Sequence, residues 1–282
     1  MRFSIIIPVF NAEGTLRRCL ESIMNQTSDN YNYEVILIND GSTDRTLEVA
    51  ELYAQKHSNM KIYSFENAGV SVARQRGIFY ASGDYIIFVD ADDTINQNLL
   101  RELQKATDEN PDIVRFKCEL VGDNPSKNHD RYNFDTTTAY TGVEVLKEWS
   151  LSGRRYAVYW LYAFKTSILK KISFPTIKCY EDVAVIPIII LSAFSVVTID
   201  FVGYYYTYNS NGSLTNKHGL AEERSRAFDF AFACKYAIEY FRKNLSEKDF
   251  EFFYRDYKNR LQEKYKSLPD SLQKELKDLF EV

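Results

Sequence analysis

The 282-residue sequence is poor in the residues that hold small secreted or metal-stapled folds together. Its four cysteines are far apart and form no CxxC pair, which argues against a disulfide framework or a zinc site and indicates reduced thiols in the cytoplasm. The first residues lead directly into an apolar stretch without a signal-peptide pattern, in agreement with a cytoplasmic location. A formal net charge of -4 gives no sign of nucleic acid as a partner.

Two nucleotide-binding signatures and a membrane-spanning segment are also missing. No GxGxxG follows the first apolar stretch and no GxxxxGK(S/T) occurs anywhere, so neither a Rossmann dinucleotide site nor a P-loop is indicated. The chain from Val183 to Ile199 carries no charge, but it falls short of the ~20 residues that span a bilayer and contains Pro187. We therefore predict a buried helix followed by a strand that begins near Val196.

The first part of the chain alternates between strand and helix patterns. Such alternation predicts a right-handed, mostly parallel α/β sheet flanked by helices. From residue 220 onwards the pattern is helical, which predicts a C-terminal helical extension with breaks at Ser246 and Pro269. The apolar runs of strand length lie at residues 3–9, 35–38, 61–65 and 86–89.

The fourth apolar run leads straight into three carboxylates, Asp90, Asp92 and Asp93. Like charges this close cost free energy unless a cation or hydrogen-bond donors compensate them. The carboxyl end of a strand is also where α/β sheets bind ligands. A divalent metal that carries a phosphate explains the pattern, and a solvated acidic turn is the simpler alternative.

Two protein families place Asp-x-Asp after an apolar strand. In phosphatases of the haloacid-dehalogenase type the first Asp, here Asp90, is a phosphorylated nucleophile, but their motif follows the first strand of the domain. Across roughly residues 3–215 the chain instead resembles the family 2 glycosyltransferases, which have the GT-A fold. The resemblance is carried by five blocks in order: Ser4 to Asn11, Asn39 to Asp44, Asn67 to Gly69 with Ala73-Arg74, Gly83 to Asp93, and Tyr180 to Asp182.

This resemblance implies a metal-dependent, inverting transfer of a sugar from a nucleotide sugar, foremost a UDP-sugar, to a glycan or lipid-linked glycan. Bacterial surface-polysaccharide synthesis is the usual setting. It implies a GT-A domain at residues 1–215, with a nucleotide half at about 1–95 and an acceptor half at about 96–215, and an extension at 216–282. Two other functions stay open from the sequence: a phosphatase that uses Asp90, and a non-catalytic nucleotide-binding scaffold.

By the same resemblance, Asp92 is the ligand of a Mn²⁺ or Mg²⁺ ion, and Asp90 and Ala91 contact the nucleotide, Asp90 at the ribose or the water shell of the metal. Asp93 either supports this site or caps the next turn. Asp40 accepts a hydrogen bond from the imide N–H of uracil, unless it is a plain turn residue. The other implied nucleotide contacts are Pro8, Val9, Phe10, Asn11, Glu13, Asn67, Gly69 and Arg74, the last of which has a surface ion pair as its alternative role.

Glu181-Asp182 forms a second acidic site. In the family the Asp of this pair is the general base that takes the proton of the acceptor hydroxyl, so Asp182 is the predicted catalytic residue. The alternative is an acidic pair that interacts with a helix N-terminus. The family commonly has an arginine where this chain has Thr207, which puts a phosphate contact from that position in doubt. His218 is either a surface residue or a metal ligand.

The second half of the sequence is rich in aromatic residues. Trp160 and Tyr162 lie where a platform for the acceptor sugar would be, or they belong to the core. The helices after residue 220 mix aromatic and charged residues, which suits packing onto the catalytic domain, a homodimer contact, or peripheral contact with the cytoplasmic membrane face.

Overall fold

The computed structural model describes residues 1–27, 32–122, 140–153, 156–208 and 219–281. Within these ranges the elements alternate through the first half and become purely helical at the end. In chain order they are β1 (Phe3–Val9), α1 (Leu16–Met24), β2 (Tyr33–Asp40), α2 (Thr46–Ala54), β3 (Met60–Phe65), α3 (Val70–Tyr80), β4 (Tyr85–Phe88), β5 (Thr94–Ile95), α4 (Leu99–Ala106), β6 (Ile113–Gly122), α5 (Gly142–Ser152), a 3₁₀ turn (Tyr159–Leu161), β7 (Tyr162–Lys165), α6 (Thr166–Leu169), α7 (Glu181–Leu191), β8 (Val196–Tyr208), α8 (Leu220–Asn244), α9 (Glu247–Lys266) and α10 (Asp270–Phe280).

The strands form one mixed sheet in the order β3-β2-β1-β4-β7-β6-β8-β5. The four strands predicted from the sequence are parallel to one another, with Ile5 opposite both Val35 and Ile87. The chain builds outwards from β1 to β3 and then returns through α3 to place β4 on the other side of β1. This reversal opens a crevice at the carboxyl ends of β1 and β4, which is where an α/β sheet binds its ligand.

The central parallel strands β1 and β4 are almost wholly apolar, as expected of strands that are covered on both faces of a sheet. Every residue of β1 and β4 is buried. Helix α1 buries Leu16, Cys19, Leu20 and Ile23, which recur at helical spacing on one face, and it lies against β5 and α2.

The second half of the sheet is mixed. β7 is antiparallel to both β4 and β6, whereas β6 and the long β8 are parallel. The short β5, directly after the acidic turn, pairs antiparallel with β8, so that Thr94 lies opposite Tyr205. The end of β8 is thereby brought beside the turn at the end of β4.

The uncharged segment forms the buried helix α7 and the start of β8, as the sequence predicts. In the described part of the chain, no helix combines the length and the apolar character needed to cross a membrane. The three C-terminal helices follow the predicted breaks, and α8 packs on α7. The predicted division of the chain near residue 215 falls outside the described residues and stays a prediction.

Candidate active site

The loops after β1 and β2 are joined by hydrogen bonds between side chains and backbone. Asn11 has a positive φ of 48°; its Oδ1 accepts a hydrogen bond from Thr43 N (2.8 Å), and its own N–H donates to Ser42 Oγ (3.0 Å). Glu13 Oε2 accepts from Arg45 N (2.9 Å). Asn11 and Glu13, two predicted nucleotide contacts, therefore fix the shape of this rim of the crevice.

The other predicted contacts on β1 and β4 differ in how much of each residue reaches the surface. Pro8 and Val9 are the last residues of β1 and are buried, and Ala91 is buried beyond the end of β4. Phe10, the next residue after β1, leaves 51% of its surface exposed. Only Phe10 among these four presents a large open side chain, as a ring that stacks on a base would require.

Asp40 at the end of β2 holds the loop before α3. Its carboxylate accepts hydrogen bonds from Ala68 N (3.0 Å) and Gly69 N (2.7 Å), and from Arg76 Nη1 (3.2 Å). The residue is only 3% exposed. Asp40 thus positions the loop that carries Asn67 and Gly69, and its contact with a base stays a prediction.

The negative charges of the acidic turn after β4 are compensated by hydrogen-bond donors on other elements. Tyr204 OH on β8 donates to Asp93 Oδ2 (2.7 Å) and accepts from Asp90 N (3.1 Å). Asp93 Oδ1 also accepts from Thr207 N (2.6 Å). Burial, followed by the charges of Asp90 and Asp92, raises the pKa of Asp93 to about 8 despite these donors. Asp93 therefore joins the turn to the end of β8.

Asp92 is the exposed member of the turn. Among the described residues, no other residue donates a hydrogen bond to its carboxylate or forms an ion pair with it. Desolvation in the crevice, with the charge of Asp90, raises the pKa of Asp92. A carboxylate without a protein partner is the feature expected of a ligand to an external cation.

These residues fit a cation that is held jointly with a substrate. No cluster of three or more acidic, histidine or cysteine side chains arranged to hold a metal occurs in the described ranges. Mg²⁺ and similar ions need no such cluster, because they commonly keep water and take one or two carboxylates together with phosphate oxygens. The unpartnered carboxylate of Asp92 meets that requirement.

Arg74 on α3 connects the acidic turn to the second acidic site. Its Nη2 donates to Asp90 Oδ1 (3.0 Å) and its Nη1 to Glu181 Oε1. The guanidinium also lies over the ring of Tyr159, with its carbon 4.4 Å from the ring centroid. Arg74 is 6% exposed, so the surface ion pair considered from the sequence is in fact a buried one.

The segment before Asp182 has a strained backbone. Tyr180 has a φ of 62°, in the left-handed region that residues other than glycine rarely adopt. Helix α8 holds its ring, since Phe230 packs edge-on against it at 5.2 Å and Arg226 Nη2 donates to its hydroxyl (3.5 Å). Strain of this kind persists where surrounding contacts enforce it, often at functional sites.

Asp182 lies in the first turn of α7, next to Glu181. Its Oδ1 accepts a hydrogen bond from Val183 N (2.7 Å). Burial raises the pKa of Asp182 to about 7, and the neighbouring charge of Glu181 acts in the same direction. Because Glu181 takes the guanidinium of Arg74, Asp182 is left as a carboxylate whose proton affinity suits a general base near neutral pH.

The structure thus brings Asp90, Arg74, Glu181 and Asp182 into one connected group, with Asp92 two residues from Asp90. Trp160 and Tyr162 are buried and belong to the core, and Trp160 stacks on Tyr204. His218 lies outside the described residues. Sequence reasoning assigned no role in the site to Arg18 and Arg76, which carry no motif of their own, and it did not predict the contacts of Tyr159 with Arg74 and of Tyr204 with Asp93.

Comparison with known proteins identifies the family. The family model described as Glycosyl transferase family 2 matches residues 4–173, more than half of the chain. A poly(ribitol-phosphate) beta-glucosyltransferase of Bacillus spizizenii is 31% identical over 220 residues, which are 75% of this chain and 33% of that protein. The chain covers half or less of the length of other curated relatives that it matches, with 50%, 32% and 16% of three of them.

Solved structures support the same fold. Residues 1–349 of S. aureus TarS in complex with UDP-GlcNAc superpose with a TM-score of 0.64 at 22% identity, covering 96% of this chain and 83% of that one. The mannosyltransferase PcManGT of Pyrobaculum calidifontis, in complex with GDP-Man and Mn²⁺, gives 0.57 at 16% identity, covering 98% and 78%. The GT-A fold expected from the sequence is confirmed, and the chain belongs to glycosyltransferase family 2.

Proposed function

We propose that the chain is a metal-dependent, inverting glycosyltransferase that moves a sugar from a nucleotide sugar, foremost a UDP-sugar, to a hydroxyl of a glycan or lipid-linked glycan. One observation carries the proposal. The guanidinium of Arg74 binds Asp90 and Glu181 together, which holds the acidic turn of the donor side and the segment of Asp182 in one place. Asp92 and Asp182 are then available for the cation and for the acceptor proton.

The donor side uses the crevice at the carboxyl ends of β1, β2 and β4. We assign the base to Phe10 and Asp40 with the backbone of Pro8 and Val9, and the diphosphate to the loop with Asn67 and Gly69. Asp92 would hold Mn²⁺ or Mg²⁺, which supplies charge neutralisation to the leaving diphosphate. We assign Arg74 to orienting Asp90 on the donor side, because its two terminal nitrogens donate to Asp90 and Glu181.

Asp182 is the proposed general base. Its carboxylate takes the proton of the acceptor hydroxyl while the hydroxyl oxygen bonds to the anomeric carbon from the face opposite the nucleotide. The bond from the anomeric carbon to the diphosphate oxygen breaks, so the configuration at that carbon inverts. Positioned base catalysis of this kind is typically worth ~10²–10⁴-fold in rate.

The acceptor class is supported by the relatives and not by a motif. A relative named for glucosylation of poly(ribitol-phosphate) suggests a phosphate-containing surface glycan as the acceptor. We place the reaction in the cytoplasm, with the C-terminal helices as the surface for a membrane contact or a homodimer.

A donor panel tests this function. The full chain is incubated with UDP-, GDP- and CDP-sugars, with Mn²⁺ or with EDTA, and release of the nucleoside diphosphate is measured with and without glycan acceptors. We expect release from a UDP-sugar that requires the metal and increases with a suitable acceptor. Nucleotide binding without release from any donor would favour a scaffold protein, and covalent phosphorylation of Asp90 would favour a phosphatase.

A further inference from the structure

Arg18 on α1 reaches across the crevice to the acidic turn and to the end of β8. Its Nη2 donates to the main-chain oxygen of Asp92 (2.6 Å) and to Thr207 Oγ1 (2.9 Å). These two acceptors lie 74 and 189 residues further along the chain. The guanidinium is therefore held at a fixed place beside the proposed cation ligand, although the side chain starts from an exposed position on its helix.

Both acceptors of Arg18 are neutral oxygens. In the part of the chain that the structure describes, no carboxylate lies within ion-pair distance of Arg18, and its Nε and Nη1 donate to no residue. Three carboxylates are close by, yet Asp90 is paired with Arg74, and Asp93 accepts from Tyr204 and Thr207. A charged guanidinium with unused donors thus lies at the mouth of the site.

Asp92 and Arg18 form a pair of opposite charges without a direct contact between their side-chain ends. Within the described ranges, Asp92 has a carboxylate and Arg18 has N–H groups, in a planar fork, that no other residue engages. The fork of arginine matches two oxygens of a phosphate, whereas a carboxylate matches a cation. A metal-bound phosphate is a ligand that uses both at once.

We propose that Arg18 binds the diphosphate of the nucleotide donor and stabilises its negative charge as the sugar leaves. This inference rests on the proposed function. Thr207 stands where the family commonly has an arginine, and its hydroxyl accepts a hydrogen bond from Arg18. At this side of the crevice, the positive charge that compensates the diphosphate is thus the guanidinium of Arg18 on α1.

Nucleotide binding by matched variants tests the proposal. Arg18→Ala removes the guanidinium, Arg18→Gln keeps a donor for the Asp92 oxygen and the Thr207 hydroxyl but removes the charge, and Arg17→Ala is the control. Arg17 is the exposed neighbour on the same helix, and its guanidinium interacts with Tyr53 instead. Calorimetry with Mn²⁺ measures affinity for UDP, GDP and CDP, and ligand-observed NMR measures affinity for the nucleoside of whichever diphosphate binds most tightly.

We expect both Arg18 variants to bind that diphosphate roughly 10- to 100-fold more weakly, because a hydrogen bond to a charged group is worth about 1.5–3 kcal/mol. Arg17→Ala should stay within about twofold of the wild type, and the affinity for the nucleoside should not change in any variant.

Three results would overturn the proposal. Unchanged diphosphate affinity in Arg18→Gln would show that the charge is not used. An equal loss for diphosphate and nucleoside would show that Arg18 only shapes the crevice. A wild-type protein that binds no nucleoside diphosphate would refute the proposed function itself, and this inference with it.

Discussion

The negative charges of the acidic turn at residues 90–93 are compensated by groups on several elements. In the acidic pair at residues 181–182, the described ion pair is with a single guanidinium, that of Arg74. In the turn, Asp90 accepts a hydrogen bond from Arg74 on α3, and Asp93 accepts hydrogen bonds from the hydroxyl of Tyr204 and the backbone N–H of Thr207 on β8. In the pair, Glu181 accepts a hydrogen bond from Nη1 of the same Arg74.

Both regions nevertheless have one feature in common, since each leaves one carboxylate without an ion-pair partner among the residues that the structure describes. In the turn this is Asp92, which is exposed, and in the pair it is Asp182, which is partly buried and has a raised pKa. The exposed carboxylate suits a cation, and the carboxylate with the raised pKa suits a proton. The neighbouring acids are therefore the means by which each region keeps its functional carboxylate free.

Replacing the free carboxylate of the pair should have the largest effect. Asp182→Asn keeps the shape of the side chain but cannot accept the acceptor proton, so turnover should fall about 10²–10⁴-fold. Donor affinity should stay within about twofold, because Asp182 is assigned to the acceptor side. Steady-state kinetics and calorimetry measure the two. Asp200→Asn, at a carboxylate on β8 that pairs with Lys117, is the control, and near wild-type transfer by Asp182→Asn would remove the assignment.

Removing the shared guanidinium should disrupt both regions. Arg74→Met fills similar space but leaves Asp90 and Glu181 facing each other without compensation, and breaking a buried ion pair costs about 3–5 kcal/mol. Urea unfolding measures this loss. Arg45→Met, which breaks the exposed pair with Glu48, should cost about 0–1 kcal/mol. Equal losses in the two variants would mean that Arg74 does not stabilise the site.

The pH profile tests how the pair sets the proton affinity of its free member. Asp182 must be ionised to act, so turnover should fall as pH drops below about 7, the value to which its pKa is raised. Glu181→Gln removes a neighbouring negative charge, which lowers the pKa of Asp182 and should move this acid limb to lower pH. Glu239→Gln, on the exposed surface of α8, should leave the limb in place. A limb that does not move in Glu181→Gln would contradict the electrostatic account.

The smallest effect concerns the support of the pair by α8. Phe230→Ala removes the ring that packs on Tyr180, and an aromatic contact of this kind is worth ~0.5–1.5 kcal/mol. Turnover should therefore fall about two- to tenfold with unchanged donor affinity. Phe228→Ala, at an exposed ring on the same helix, is the matched control. Equal turnover in the two variants would show that α8 only covers the domain.

The parallel strands and the two acidic regions were predictable because each depends on residues close together in sequence. Apolar runs followed by polar turns mark the strand ends, and Asp90 and Asp92 stand in such a turn, whereas Asp182 directly precedes a long uncharged run. It was not predictable which acids are paired and which stay free, because their partners come from far along the chain. Tyr204 lies 111 residues from Asp93, and Arg74 lies 107 residues from Glu181.

The aromatic residues also show what cannot be predicted from the sequence alone. Trp160 and Tyr162 left two roles open in the sequence, since a ring that packs in the core and one that binds a sugar look alike. Trp160 in the 3₁₀ turn and Tyr162 on β7 are both buried, which decides for the core. Asp40 was expected at a base, and its contacts with Gly69 and Arg76 add a structural role that Asp-Gly-Ser in a turn does not reveal.

The most direct test of the account is a thermal-shift titration with UDP, with and without Mn²⁺, on the wild type, Asp92→Asn and Asp182→Asn. A ligand at a hundred times its dissociation constant adds about 2.7 kcal/mol of stability, which raises the melting temperature by several degrees at roughly 2–4 °C per kcal/mol. We predict a rise in the wild type that requires both UDP and Mn²⁺, is retained in Asp182→Asn and is lost in Asp92→Asn. A rise of the same size in Asp92→Asn, or none in the wild type, would contradict the claim that Asp92 is the carboxylate kept free for the cation.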